Sequence, residues 1–457
     1  MADFQLLQPR GGPLLPPVFD AFCDFEPLPL NCEAWPVSEP HSGGAVQEFH
    51  SSLATSNSSD WNWPTRPVVF VSDPHADAES FLRSLVAAGV ICRTGAGLAD
   101  FTLTGFGHLA HVVVGGDCLD KGPSNLDMLD TLSALFATGA KVTLLAGNHD
   151  LRLMLAVRAL ATPRNPLTEH LFVRMGRKAL PLLREVWHRF GSDQRLTRLP
   201  SEAKCRERIC PSESWFDEFP KAAAPHLAPE AINKELRRLR EKGSQFTQNV
   251  ADAGLTMREV FGAALLCHEL FLQPTGPYHW FFQRMDVILQ TGSVLFVHAG
   301  LDDSMCELLV QDGPAAVNTR FRRDAKRDLF AFYFGPIANL VRTKYRASDK
   351  VLTDHGVRLL HQAGLKLVVQ GHVNNHNGQR LLAKRGLLHL EADVTLDRAS
   401  RAREGLSGIG AGATLIYPSG DIIGLSSDYP KAKHFHPHCV GLQAQMPQPR
   451  AQQKEFA

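Results

Sequence analysis

The sequence predicts an α/β fold built around parallel strands. Three successive units carry that expectation, each a short apolar strand, a polar turn and an amphipathic helix. The strands are Val68-Val69-Phe70-Val71, His111-Val112-Val113-Val114 and Lys141-Val142-Thr143-Leu144-Leu145, and each runs directly into a turn rich in Asp, His or Asn. In open parallel sheets, chemistry collects at the carboxyl ends of the strands. All three polar turns sit there.

Taken in order, residues 1–65 read as an irregular arm rich in proline and serine, with a serine-rich run from Ser51 to Ser59. Phe19, Phe22, Phe25 and Trp35 are the side chains able to dock it on a neighbouring surface. The first strand enters Ser72-Asp73-Pro74-His75-Ala76-Asp77, then a helix with Phe81, Leu82, Leu85 and Val86 on one face, ending near Gly89. The second enters Asp117-Cys118-Leu119-Asp120-Lys121-Gly122, then a helix carrying Leu126, Leu129, Leu132 and Leu135. The third enters Ala146-Gly147-Asn148-His149-Asp150 and a further helix.

Residues 151–290 then change character. They hold helical patterns, a break at Thr162-Pro163-Arg164-Asn165-Pro166, an amphipathic face of Ile232, Leu236 and Leu239, and a Thr256-x-x-Glu259 capping box. This is a helical insertion between core strands, serving either as a cap near the site or as a scaffold on the outer rim. The core resumes with Ser293-Val294-Leu295-Phe296-Val297, which ends in His298, and with Leu365-Lys366-Leu367-Val368-Val369, which ends in Gln370-Gly371-His372. Ala413–Tyr417 and Ile422–Leu425 read as a hairpin. The main domain is expected over 66–427, with a loose polar tail over 428–457. Its alternating His434, His436 and His438 are read as a chance cluster or a weak adventitious metal site.

Bulk properties remove several classes. The 48 basic and 47 acidic residues leave a formal charge of +1, which is no footprint of a nucleic-acid binder. The nine cysteines are scattered without a CxxC pair, and Cys205 and Cys210 fit no common zinc spacing, so reduced thiols are expected. Neither a secretory signal nor an apolar run of the roughly 20 residues needed to span a bilayer is evident. The expectation is a cytoplasmic protein with no membrane partner; the oligomeric state stays open.

Collected from the five strand ends, Asp73, His75, Asp117, Asn148, His298 and His372 form an oxygen and imidazole donor set suited to Mn, Fe or Zn. Six such residues hold two ions if one carboxylate bridges, and Asp117, in the central turn, is the natural bridge. The expected arrangement is Asp73, His75 and Asp117 on one ion, with Asp117, Asn148, His298 and His372 on the other. Two ions about 4 Å apart lower the pKa of a shared water and clamp a phosphoryl group. Each motif alone is ordinary: Asp-Pro-His is usually a turn, and Asn-His-Asp can simply cap a helix. Five of them in one structural context are not ordinary.

The series SDPHAD, GGDCLDKG, AGNHD, HAGL and GH resembles the calcineurin-like metallophosphoesterase superfamily, most closely its phosphoprotein phosphatase branch. The resemblance covers roughly 66–150 and 291–425, and the long insertion, the HAGL variant and the Gly408/Gly410/Gly412 run are similar to bacterial or Shewanella-like protein phosphatases. It implies a β-sandwich of two mixed sheets flanked by helices, interrupted by the insertion. It also implies that His149 protonates the leaving oxygen as general acid and that Asp120 orients it. Lys121 would grip phosphate, together with an arginine between His298 and His372, either Arg342 or Arg346.

Several positions depart from the family pattern. Lys121 replaces the usual arginine, Ser72 and Ala76 replace glycines, and Asp150 stands where Glu is commoner. Asn374 stands where many members of the wider superfamily carry a second histidine. The implied activity is metal-dependent hydrolysis of phosphate monoesters, with phosphoserine or phosphothreonine protein as the leading substrate. A nucleotide, a dinucleoside polyphosphate or another small phosphoester is the alternative, and a non-enzymatic metal-binding scaffold is a third reading. Gly408-Ile409-Gly410-Ala411-Gly412 is no dinucleotide loop, because it precedes a strand; a Walker A motif and a GxSxG elbow are both missing from the sequence.

Overall fold

The three strands expected to pair in parallel do so: Val68–Val71 lies beside His111–Val114, which lies beside Lys141–Leu145. β-Branched residues dominate the first two, and such side chains pack well on a pleated surface. Every residue of both is buried, so each strand is covered on both faces. The computed structural model describes residues 32–36, 43–346 and 349–438. The expected docking side chains Phe19, Phe22 and Phe25 lie outside these residues.

These strands belong to an eight-stranded mixed sheet. Its order is Cys32–Ala34, Ala432–Phe435, Ile422–Ser426, Gly412–Ile416, Val68–Val71, His111–Val114, Lys141–Leu145 and Met285–Asp286. A five-stranded sheet has the order Arg380–Lys384, Leu387–Glu391, Leu367–Gln370, Val294–Val297 and Ile288–Thr291. Within it the two histidine-ending strands, Val294–Val297 and Leu367–Gln370, run parallel. The expected hairpin forms as the antiparallel pair Gly412–Ile416 and Ile422–Ser426.

The two sheets share a core because side chains alternate across each strand. Val68, Phe70, Val113 and Leu145 point into one apolar cluster together with Val294, Phe296, Leu367 and Val369 from the opposite sheet. Phe70 and Phe296 meet there with ring centroids 5.7 Å apart. The alternate residues Val69, Val71, Val112 and Val114 face the helices instead. The result is a two-layer α/β sandwich of mixed sheets flanked by helices.

Helix starts follow side-chain capping. Asp77 accepts from the Ser80 amide at the start of Ala78–Ala87, and Ser124 from the Asp127 amide at the start of Asn125–Ala137. The Thr256/Glu259 capping box forms at the start of Met257–Cys267. Between Leu171 and Gln283 the chain is helical, with Trp215, Phe219 and Phe246 fully buried among its helices. The region read as insertion also contains the strands Met285–Asp286 and Ile288–Thr291, which join the two sheets.

The structure departs from the sequence reading at both ends. Gly43–Ser56, expected as irregular arm, is a helix that buries Phe49 and Leu53 in the inter-sheet cluster with Trp35. A Ser/Thr-rich stretch has weak helix propensity, so tertiary packing of those two side chains decides it. Ala432–Phe435, expected as loose tail, is a strand between Ile422–Ser426 and the short parallel strand Cys32–Ala34. His434 Nε2 there pairs with Asp421 at 2.8 Å, and no cluster of potential metal ligands among the described residues includes it. All described cysteines are free thiols, and no described helix is long and apolar enough to cross a membrane.

Candidate metal centre

The strand ends converge where the two sheets meet. Backbone hydrogen bonds lock the loops together: His75 N donates to Asp117 O at 2.9 Å, and Gly371 N to His298 O at 2.9 Å. The loops are strained as well as tied. Asp73, His75, Ala76, Asp117, Asp120, Lys121 and His372 account for seven of the ten non-glycine residues with positive φ among the described residues. Such conformations cost energy that surrounding structure must offset, and they concentrate at functional sites. Space is equally tight. A Cβ on Gly147 would lie 2.0 Å from Asp117 N, and one on Gly371 would lie 1.8 Å from Ser72 Oγ.

Two sets of donor atoms share one carboxylate. Asp73, His75 and Asp117 form one group; Asp117, His298 and His372 form the other. Asp117 Oδ2 stands 3.7 Å from His75 Nε2 and 3.6 Å from His298 Nε2. His75 Nδ1 donates to the Leu119 carbonyl at 3.2 Å and His298 Nδ1 to the Gly115 carbonyl at 2.8 Å. Those outer bonds leave both Nε2 lone pairs aimed inward, as metal-ligating histidines require. His298 Nε2 is buried without a hydrogen-bond partner. A buried orphan nitrogen beside a carboxylate fits a bound cation, and the donor set matches Mn, Fe or Zn.

Asn148 joins the second group. One end of its amide lies 3.0 Å from His372 Nδ1 and the other 2.7 Å from Arg152 Nη2. The His372 amide donates to Asp73 Oδ2 at 3.0 Å. Thus all six sequence-derived donors meet at one place. Asn374 turns away, donating to Glu404 Oε1 at 2.8 Å.

His149 lies beside the donors, with Nε2 3.9 Å from Asp117 Oδ2 and Nδ1 2.8 Å from Asp120 Oδ2. Burial, reinforced by His75, Arg152 and Lys121, holds the His149 imidazole well below its ordinary value. Burial pushes the Asp120 carboxyl up to about 8, with Asp117 and Asp150 adding to the rise. Burial likewise raises Asp73 and lowers His75. Against the cost of burial, Asp117 and Asp73 raise His298. Asp150 braces the central turn: its carboxylate accepts from the amides of Cys118, Leu119 and Gly147 at 3.0, 3.1 and 3.0 Å.

Lys121 reaches inward, its Nζ 2.5 Å from His75 Nε2, where it uses the lone pair that a cation on His75 would use. Arg342 and Arg346 line a cavity of about 270 Å³ shared with Asn148, Arg152 and His372. Arg342 stacks on the Tyr333 ring at 5.0 Å, while Arg346 is exposed. Sequence reasoning missed Arg152, although it lies one helical turn after Asn148 on the same face. It also missed Lys178 in the insertion, whose amine is lowered by burial and then by Arg152 and Lys121. No local signal marks Lys178. Asp393 was missed too; burial, with Asp73 adding, pushes its carboxyl well above the usual range.

Residues 66–244 match the family model described as calcineurin-like phosphoesterase. Over those residues the chain is similar to calcineurin-like phosphoesterases. No curated protein matches the sequence. Among solved structures, a cold-active protein tyrosine phosphatase of a psychrophile Shewanella species is similar at 15% identity and TM-score 0.40, covering 81% of this chain and 80% of that one. A protein serine/threonine phosphatase from Saccharomyces cerevisiae is similar at 11% identity and TM-score 0.36, covering 85% of this chain and 88% of that one. At those identities and scores neither likeness bears on activity.

Proposed function

We propose that this protein is a dinuclear-metal phosphomonoesterase whose leading substrate is a phosphoserine or phosphothreonine protein. One observation carries the reading: the Asp117 carboxylate stands between two separate donor groups, 3.7 Å from His75 on one side and 3.6 Å from His298 on the other. Asp73, His75 and Asp117 would hold one ion, and Asp117, Asn148, His298 and His372 the second. When bound, the ions supply an activated water and a clamp for the phosphoryl oxygens.

The remaining work falls to the chain itself. Lys121 and Arg152 offer cationic groups for the phosphate oxygens, with Arg342 or Arg346 at the adjoining cavity. Water adds to phosphorus in line with the leaving oxygen, and the ester P–O bond breaks. One of the water's protons stays on the product phosphate and the other passes to solvent, from which His149 is recharged. His149 delivers the Nε2 proton to the departing alkoxide. Asp120 keeps the imidazole oriented through Nδ1. A nucleotide or dinucleoside polyphosphate is the second reading, favoured by the cationic groups that the insertion brings close to Asp117 and Asp120.

Hydrolysis of p-nitrophenyl phosphate with Mn, Fe, Zn or no metal tests the dinuclear reading, with Asp117→Asn as control. Metal-dependent turnover that the substitution abolishes is expected; equal activity of the two proteins refutes it. Parallel assays on phosphopeptides and nucleotides separate the substrates, since activity on nucleotides alone would exclude the protein-phosphatase reading.

A further inference from the structure

A second cavity, of about 590 Å³, opens in the insertion next to the metal centre, walled by the helices that carry Arg174, Arg177 and Lys178 on one side and Arg238 and Lys242 on the other. It shares Arg152, Leu155 and Tyr333 with the cavity that contains Asn148 and His372, so the two adjoin. Its lining carries six cationic side chains and one carboxylate, Glu241.

Internal partners account for few of these charges. Arg174 pairs with Glu235, and Lys242 Nζ donates to the Arg174 carbonyl at 2.7 Å. The side chains of Arg177, Lys178 and Arg238 carry no hydrogen bond or salt bridge among the described residues. The cations also act on one another. Burial, then Arg174 and Arg152, lower the Lys242 amine to about 8. Gathering like charges in a concave, partly desolvated wall is unfavourable unless an anion completes it.

We propose that this cavity binds a second phosphate of the substrate while the scissile phosphate sits at the metal centre, with Arg152 between them. The inference rests on the phosphoesterase reading and sharpens it: the preferred substrate carries at least two phosphate groups. A volume of about 590 Å³ lies within the roughly 300–1,000 Å³ typical of small-ligand pockets. Planar, two-pronged arginine groups suit a phosphate dianion. The second phosphate can belong to a doubly phosphorylated peptide or to a nucleoside polyphosphate, which share this chemistry.

Calorimetric titration of the metal-free full-length chain with inorganic tripolyphosphate and with inorganic phosphate tests the site directly. Wild type should bind tripolyphosphate more tightly than phosphate, and Arg177→Gln with Arg238→Gln should weaken tripolyphosphate by about tenfold or more. Both residues are exposed and Gln is a good helix former, so folding should survive; Arg238→Glu is the confirming variant. Unchanged tripolyphosphate binding in the double variant overturns the proposal. In kinetics, the double variant should raise KM for a doubly phosphorylated peptide or for a nucleoside triphosphate, and whichever responds identifies the source. A singly phosphorylated peptide should be affected less than twofold; an equal rise for both peptides also overturns the proposal. If the wild type hydrolyses no ester, the phosphatase reading fails while the calorimetry still decides the anion site.

Discussion

Replacing Asp120 with Asn separates the proton-delivery role from the rest of the site. The Asp120 carboxylate and His149 Nδ1 are 2.8 Å apart, each about 5% exposed, so the bond is sheltered from water. A hydrogen bond to a charged group contributes about 1.5–3 kcal/mol, and about 1.4 kcal/mol is tenfold in rate. Asp120→Asn should therefore lower kcat by roughly 10- to 100-fold wherever the leaving oxygen needs a proton. A phosphoserine peptide, which expels an alkoxide, is such a substrate. p-Nitrophenyl phosphate expels a stable phenolate and should lose much less. Measuring kcat for both substrates against pH gives the ratio. Without the carboxylate, protonated His149 loses its partner, so the alkaline limb of the phosphoserine profile should move to lower pH. Equal losses on both substrates, or an unmoved limb, would refute the assignment of His149 and Asp120 to proton transfer.

Two further outcomes concern stability. In the metal-free protein burial raises the Asp120 and Asp150 carboxyls to about 8 and about 7, so the folded state holds protons that the unfolded chain has released. Their contribution is lost as pH rises towards 8, whereas the lowered His75, His149 and His372 destabilise only below about 6.5. The Tm of metal-free protein should accordingly fall between about pH 6.5 and 8, and added Mn should raise Tm most at the upper end; a flat metal-free profile would contradict this. Phe70→Ala should cost about 3–5 kcal/mol in denaturant titration, because Phe70 is 1% exposed and packs on Phe296 between the sheets. A loss below about 1 kcal/mol would show that the sandwich core tolerates a cavity there.

Much of the site was readable along the chain because each donor lies within a few residues of a strand end. Val68–Val71 delivers Asp73 and His75, His111–Val114 delivers Asp117, and Lys141–Leu145 delivers Asn148 and His149. Strand periodicity is a local property, and turn residues follow it directly. Arg152 carried a weaker local signal, one turn beyond Asn148. The choice between Arg342 and Arg346 had none. Both line the cavity that holds Asn148 and His372, and Arg342 alone of the two stacks on Tyr333, a matter of tertiary placement.

The ends of the chain show the same limit. The helix Gly43–Ser56 has little intrinsic propensity and exists through Phe49 and Leu53 entering the sandwich. Ala432–Phe435 becomes a strand because Ile422–Ser426 presents it with an edge.

Hydrophobic period and adjacent polar turns are short-range features, so the parallel core and the six candidate donors could be read along the chain, while the roles of His149 and Asp120 came from the family resemblance. Folding in three dimensions was needed to bring Lys121 against His75. It alone also placed the cations of residues 174–242 beside Arg152. Those placements depend on sheet packing and on helices distant in sequence, where burial and electrostatics act through space rather than along the chain.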